Sequence, residues 1–331
     1  TGISGGRLEV HKGVIDVPDE RIHQLAKIFN PKKLVHAKVT YADIAGLDGK
    51  ASEKGISGAL LNTLSQMDGF IHVVRHFSNP RVPHFAGSVD PLRDLADMET
   101  ELILNDMIII ERKLYRLSEE RKRGGYGRDI GFVERESVLF EKLQGILSEE
   151  IPLRNETFSD EEEKVLSNYG FLSRKPQLIV INQSEDQAPL EVEASYAKTK
   201  VICMPAKLEM DIAQLPPEDA KVFLAEYGIE EPSLDRFIRL SYDLLNQMSF
   251  FTGGEIDVHA WTVSRGATAL EAAGKIHSDL ERGFIRAEVI SCVDLVALGS
   301  LSEARHQGKL RLEGKKYIVK DGDYITVRFN I

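Results

Sequence analysis

Short apolar runs rich in β-branched residues alternate with amphipathic stretches from the start of the chain. Gly13-Val14-Ile15-Asp16-Val17 has the length and composition of a strand. Pro18-Asp19-Glu20 then opens a helix to about Phe29, with Ile22, Leu25, Ala26 and Phe29 at the spacing that makes one apolar face. Leu34 to Ala42 alternates as a half-buried strand does and ends at Asp43. Phe70-Ile71-His72-Val73-Val74, Leu178-Ile179-Val180-Ile181 and Val201-Ile202-Cys203-Met204 are continuous runs of the kind buried on both faces of a parallel sheet. Strand, loop and helix in repetition indicate an α/β doubly wound domain.

Between about Asp90 and Asp160 the pattern becomes helical. Leu92 to Arg123 and Val133 to Glu150 carry apolar residues at i, i+3, i+4 among many charges, with Gly124-Gly125-Tyr126-Gly127 between them. They read as a helical hairpin inserted into the α/β domain, either a coiled-coil-like arm or a solvated charged pair. After a helical stretch from Leu234 to Met248, strand periodicity returns. Asp257 to Val263 reads as a strand, Ala267 to Leu280 as an amphipathic helix, and Lys316-Tyr317-Ile318-Val319 as a strand entering the turn Asp321-Gly322-Asp323. Tyr324 to Phe329 closes an α+β module. Trp261, Ile276, Phe284, Ile318, Ile325, Val327 and Phe329 are expected to share its core, apart from residues before 200.

A chain of 331 residues exceeds one ordinary core and implies two or three domains. With 42% hydrophobic and 28% charged residues it is neither disordered nor fibrous. No apolar run approaches the roughly 20 residues that span a bilayer, and Thr1-Gly2-Ile3 begins no secretory signal. A cytoplasmic protein without membrane partners is the expectation. Cys203 and Cys292 stand far apart without a CxxC, as two buried thiols of a reducing compartment would. The net charge of −10 confines any RNA contact to a local basic patch. Arg305, Lys309, Arg311, Lys315, Lys316 and Lys320 form one such run, suited to phosphate contact or simply to a solvated surface.

Three segments carry candidate chemistry. Asp43-Ile44-Ala45-Gly46 fits the DxxG switch of nucleoside triphosphatases. There the carboxylate supports Mg²⁺ through its water shell, and the glycine lets a backbone N–H approach the γ-phosphate. Read alone, it is more often a strand-ending Asp before a Gly turn. Asn182-Gln183-Ser184-Glu185 follows a buried strand where GTPases place the NKxD loop that reads guanine, with Gln183 for the Lys and Glu185 for the Asp. Adenine offers an amino donor and a ring acceptor instead, so the exchange weakens the case for guanine. Pro205-Ala206-Lys207 follows the next strand and resembles the SAK loop that lies against the base. Together these occupy the carboxyl ends of successive strands, where such folds bind ligands.

These segments, with Asp43-Ile44-Ala45-Gly46-Leu47 and Gly87-Ser88-Val89-Asp90-Pro91, resemble the YchF/Obg-like ATPases. The tail resembles them most, in Ala260-Trp261-Thr262, Ala272-Ala273-Gly274-Lys275-Ile276-His277-Ser278-Asp279 and Glu281-Arg282-Gly283-Phe284-Ile285-Arg286-Ala287-Glu288, then Tyr317-Ile318-Val319-Lys320-Asp321-Gly322-Asp323. The resemblance implies a Ras-like P-loop NTPase core in residues 1–89 and 161–250, a helical insertion in 90–160 and a β-grasp TGS domain in 251–331. It implies ATP as substrate with Mg²⁺, and a ribosome or RNA partner reached through the TGS domain and helical arm. It also implies that Leu47 replaces the water-positioning Gln, and that His84 in Val82-Pro83-His84 takes over that role. A non-catalytic docking protein and a GTPase stay open beside this reading.

Two departures stand out. Asp48 to Gly58 lacks the family's glycine-rich sequence, and GxxxxGK[ST] occurs nowhere. Ile3 reads as a strand end, yet Ser4-Gly5-Gly6 leads directly into the next strand with no room for a loop and helix. Ile3 and Ser4 are therefore expected not to be bonded.

Overall fold

A computed structural model describes residues 10–44, 58–125, 127–192, 199–226 and 232–330. Ile3, Ser4, Gly46 and Leu47 lie outside these described residues. In chain order the elements are β1 (Val10–Asp16), α1 (Glu20–Phe29), β2 (Lys33–Val35), β3 (Lys38–Ile44), α2 (Gly58–Ser65), β4 (Phe70–Arg75), α3 (Pro91–Lys122), α4 (Ile130–Ser148) and α5 (Asp160–Leu166). There follow β5 (Gln177–Asn182), β6 (Lys200–Met204), α6 (Ala206–Ala213), α7 (Pro217–Glu226), α8 (Ser233–Leu244), β7 (Gln247–Gly253), β8 (Asp257–Ser264), α9 (Ala269–Ile276) and α10 (Ser278–Arg282). The last are β9 (Phe284–Ser291), α11 (Cys292–Leu298), α12 (Leu301–His306), β10 (Arg311–Glu313) and β11 (Asp323–Phe329). The chain forms two units, one holding Ile44–Phe223 and the other Val10–Asp43 with Leu224–Ile331.

In the first unit β4, β5 and β6 form a parallel sheet in that order, with Ile179 opposite both His72 and Val201. Five successive residues of β5, Gln177 to Ile181, are buried, which explains the unbroken apolar run. Val74, Leu95, Ile179 and Ile181 make the core between this sheet and α3. Asp90 caps α3 by accepting from Arg93 N at 3.1 Å, and Pro91 occupies the first turn, where its missing N–H costs nothing. α3 and α4 pack through Ile103, Ile110, Phe140, Leu143 and Leu147. Gly124 and Gly125 connect them with φ of 66° and 93°, which residues with a Cβ rarely adopt. The charges do more than solvate this pair. Glu136 lies buried against Lys113 and Arg128, both at 2.7 Å.

The second unit is built on a six-stranded mixed sheet in the order β10-β9-β11-β7-β8-β2. One face carries Phe250, Val263, Ala269, Ala272, Phe284 and Ile325, with Trp261, Ile276 and Val327 packed at its margin. That bears out a shared apolar cluster for most of the residues named from the sequence. Ile318 and Phe329 do not join it, being 51% and 48% exposed. The opposite face is also apolar. Phe251, Val258, Ala260, Ile290 and Tyr324 pack on Val17, Ile22, Leu25, Ala37 and Val39.

Residues 10–43, expected in the nucleotide-binding domain, therefore pack in the same unit as 251–331. β2 pairs in parallel with β8, Leu34 opposite Val258. The physical reason is that a sheet apolar on both faces needs a cover on each, and α1 supplies the second. Leu34 to Ala42 accordingly splits into β2 and β3, the latter in a two-stranded sheet with β1. Two further elements differ from the expectation. Residues 316–319 make only an isolated bridge, Ile318 to Thr268, rather than a strand. The helix 267–280 breaks at His277, whose φ of −164° and ψ of 142° are extended.

Candidate functional site

The carboxyl ends of β4, β5 and β6 bring two of the three sequence segments together. Asn182 ends β5, and its Oδ1 accepts from Ala206 N, the first residue of α6, at 3.3 Å. Its carbonyl accepts from His76 N at 2.8 Å, where the chain leaves β4. Gln183 N donates to Met204 O at 3.2 Å. Asn182–Glu185 and Pro205–Lys207 are thus fastened together by the Asn182 side chain on Ala206 N and by the backbone bond from Gln183 to Met204.

Within it Gln183 is buried, and its Nε2 donates to Gln187 O at 2.8 Å. Gln187 returns the contact, its Oε1 accepting from Ser184 N at 2.8 Å. Gln183 Oε1 is buried with no hydrogen-bond partner, an orphan acceptor inside the loop. Glu185 is exposed on the turn, free of the packing that holds Gln183. Lys207 is 79% exposed and pairs with Asp211 one helical turn on, at 3.1 Å. Pro205 is the N-cap residue of α6, and its carbonyl accepts from Glu209 N at 3.1 Å.

His84 lies in the loop between β4 and α3. Arg75, the last residue of β4, staples that loop by donating to Phe77 O at 3.0 Å, Val82 O at 2.9 Å and Asn79 O at 3.4 Å. Its guanidinium also sits 4.7 Å from the centre of the Phe77 ring. The imidazole of His84 is 6% exposed; Nε2 meets Asp94 Oδ2 at 3.0 Å, while Nδ1 accepts from Ala86 N at 3.2 Å. In this arrangement both ring nitrogens face protein groups, and water has no open nitrogen to occupy.

Beneath the loop, His72 on β4 is pushed down to about 4, chiefly by burial and further by the positive charge of Arg154, although Asp94 works the other way. Glu99 and Arg154 form a buried ion pair nearby on α3 and the turn Leu153–Asn155. Burial holds the Glu99 carboxyl above its ordinary range despite Arg154.

Asp43 is exposed at the end of β3 and belongs to the other unit. A lone carboxylate there is a hard oxygen donor of the kind Mg²⁺ takes through water. Among the described residues no group of three or more His, Cys, Asp or Glu side chains is placed to hold a metal, and no helix is long and apolar enough to cross a membrane. In the basic run, Arg305 and Arg311 already have carboxylate neighbours, Glu288 at 3.4 Å and Glu313 at 3.5 Å. Cys292 is buried, its thiol pushed up to about 12 by burial, while Cys203 is half-buried.

A family model, YchF-GTPase_C, described as a protein of unknown function (DUF933), matches residues 247–330. The "Ribosome-binding ATPase YchF" of Bacillus subtilis (strain 168) is 39% identical over 335 residues, covering 98% of this chain and 90% of the relative. That of Haemophilus influenzae is 40% identical over 332 residues with the same coverage. The chain belongs to the YchF family. The Schizosaccharomyces pombe YchF GTPase superposes with a TM-score of 0.85 at 28% identity, over 96% of this chain and 87% of that one.

For a YchF chain, motif spacing singled out Asn182–Glu185 and the family resemblance singled out His84, but neither indicated the groups that hold them. Arg75, Asp94 and Gln187 belong to no nucleotide motif. Asp94 had one legible signal, since helical phase puts it beside the buried Pro91 and Leu95 rather than on the solvent side.

Proposed function

We propose that this chain is an ATP-binding and ATP-hydrolysing regulatory protein of the cytoplasm that works on the ribosome. The observation that carries the reading is the joined loop pair Asn182–Glu185 and Pro205–Lys207 at the carboxyl ends of parallel strands, with Glu185 where a guanine-reading Asp would stand. It is supported by curated relatives that are named ribosome-binding ATPases. The S. pombe relative is named a GTPase, so the base is the property to measure.

In the proposed reaction water attacks the γ-phosphorus, the bond to the β,γ-bridging oxygen breaks, and catalysis comes from positioning and charge stabilisation. Asn182, Gln183 and Glu185 read the base, with Pro205, Ala206 and Lys207 against it. The motif residues Gly46 and Leu47 are assigned to the γ-phosphate switch, and Asp43 would hold Mg²⁺ through water. Bound magnesium neutralises phosphate charge. His84 supplies the polar contact that Leu47, an aliphatic side chain, cannot give to the water. The α3–α4 hairpin and a TGS-type module in 251–331, with its basic run, are the proposed ribosome- or RNA-facing surfaces.

ATP and GTP titrations by calorimetry, on protein of verified intact mass, test this. A buried polar group left unpaired costs about 1–3 kcal/mol, so ATP is expected to bind roughly tenfold tighter or better. Glu185→Asp is expected to move the preference toward GTP. Equal affinities or a GTP preference would overturn the adenine assignment. A second reading, a non-catalytic docking protein, is favoured by one observation, that no GxxxxGK[ST] occurs in these residues. Failure to bind either nucleotide would select it.

A further inference from the structure

Among the described residues, His84 and Asp94 are the one pair in which a proposed site side chain meets a buried carboxylate. Their contact is 3.0 Å, with side chains 6% and 10% exposed. Each partner is fixed from behind. Asp94 Oδ1 accepts from Arg93 Nε at 3.1 Å and Nη2 at 2.7 Å, and its backbone N–H donates to Asp90 O in the first turn of α3. Arg93 is itself held by Ser88, donating to its Oγ at 3.1 Å and its carbonyl at 2.8 Å. On the other side, the His84 carbonyl accepts from Gly87 N at 3.0 Å, closing a turn that requires the positive φ of Gly87, 79°.

The hydrogen-bond polarity decides the tautomer. Nδ1 accepts from Ala86 N–H, so it presents a lone pair, and the ring hydrogen lies on Nε2, facing a carboxylate that can only accept. We infer that Asp94 is the positioning residue for His84, holding Nε2–H so that Nδ1 is the nitrogen offered to the attacking water. The logic is that of a carboxylate that orients a histidine in acyl-transfer triads, reached here on a helix N-terminus. Only the Ala86 N–H contact, local to the 84–87 turn, must open to expose Nδ1. The Asp94 bond persists throughout. The inference rests on His84 being the group that holds the water.

Turnover at saturating ATP and Mg²⁺, with ATP affinity measured separately, is compared for the wild type, His84→Ala, Asp94→Asn and the double variant. Asp94→Asn is expected to lower kcat about tenfold or more, a part of the 10²–10⁴ range for a positioned acid–base group, with KM and affinity within about twofold. The double variant is expected to be no slower than His84→Ala. Undiminished kcat in Asp94→Asn beside a slow His84→Ala overturns the role of Asp94 alone. Undiminished turnover in His84→Ala overturns the role of His84 and this inference with it. Imidazole nitrogen NMR of the unsubstituted protein reads the tautomer without turnover and without a variant that must fold. Hydrogen on Nε2 is expected, and hydrogen on Nδ1 would overturn the assignment.

Discussion

Asp106 on α3 accepts the backbone N–H of Ser173 at 2.7 Å, and its other oxygen accepts that of Leu172 at 2.8 Å. One buried carboxylate thereby anchors the segment that enters β5, the strand that ends at Asn182. Burial raises its titration from 3.8 to about 6, although these hydrogen bonds favour the charged form. The folded state thus binds the proton more tightly than the unfolded chain. The stability from this linkage is fully present below about pH 4 and lost as pH rises through about 6, with a size of roughly 3 kcal/mol. Asp106→Asn is expected to flatten that slope. Denaturation midpoints measured across this window would show it, and an unchanged slope would assign the pH dependence elsewhere.

Gly170 marks a close backbone approach. A Cβ added there would stand 2.7 Å from Ser65 Cβ and 3.5 Å from Ser65 Cα. Lys175 also donates to the carbonyls of Ser65 and Met67, fastening the end of α2 to the same segment. Gly170→Ala is expected to destabilise the first unit by about 1–3 kcal/mol, the usual scale of overpacking. Ser65→Gly in the same chain should recover much of the loss, a rescue that thermal or urea unfolding can measure.

Arg75→Ala removes the staple from the loop that carries His84. Three carbonyls and the Phe77 ring lose their shared partner. Turnover is expected to fall several-fold through mispositioning, with ATP affinity unchanged. Hydrogen exchange in residues 77–87 should accelerate. Faster exchange with full turnover would separate the loop from catalysis.

Leu25→Ala tests whether the C-terminal module depends on α1. Leu25 is fully buried against the sheet face that carries Phe251 and Val258, and its truncation should cost about 2–5 kcal/mol. Trp261, the single tryptophan, packs on the opposite face and reports unfolding by fluorescence. Its transition is expected at lower denaturant in the variant. An unmoved transition would mean that 247–330 folds independently of residues 10–43.

Local periodicity and motif chemistry in the sequence determined much of this protein. The apolar runs that become β4, β5 and β6, the α3–α4 hairpin with its Asp90-Pro91 start, and the strand-end turn at Asn182 all follow from nearest-neighbour pattern, although burial along the whole run holds for β5 alone, Val73 of β4 being 62% exposed. β7 escaped notice because Met248 to Phe251 are all buried in a central strand, so the alternation that marks a strand is missing and the run continues the helical pattern of α8. What only the tertiary structure decided were relations between distant residues. Which unit receives residues 10–43 depended on a second apolar sheet face that no single segment announces. Likewise, the family resemblance could name His84 but could not show which nitrogen faces a carboxylate, since that depends on where α3 places Asp94 against the loop. Propensity and periodicity act over a few residues, whereas burial and hydrogen-bond polarity are set by groups that meet only after the chain has folded.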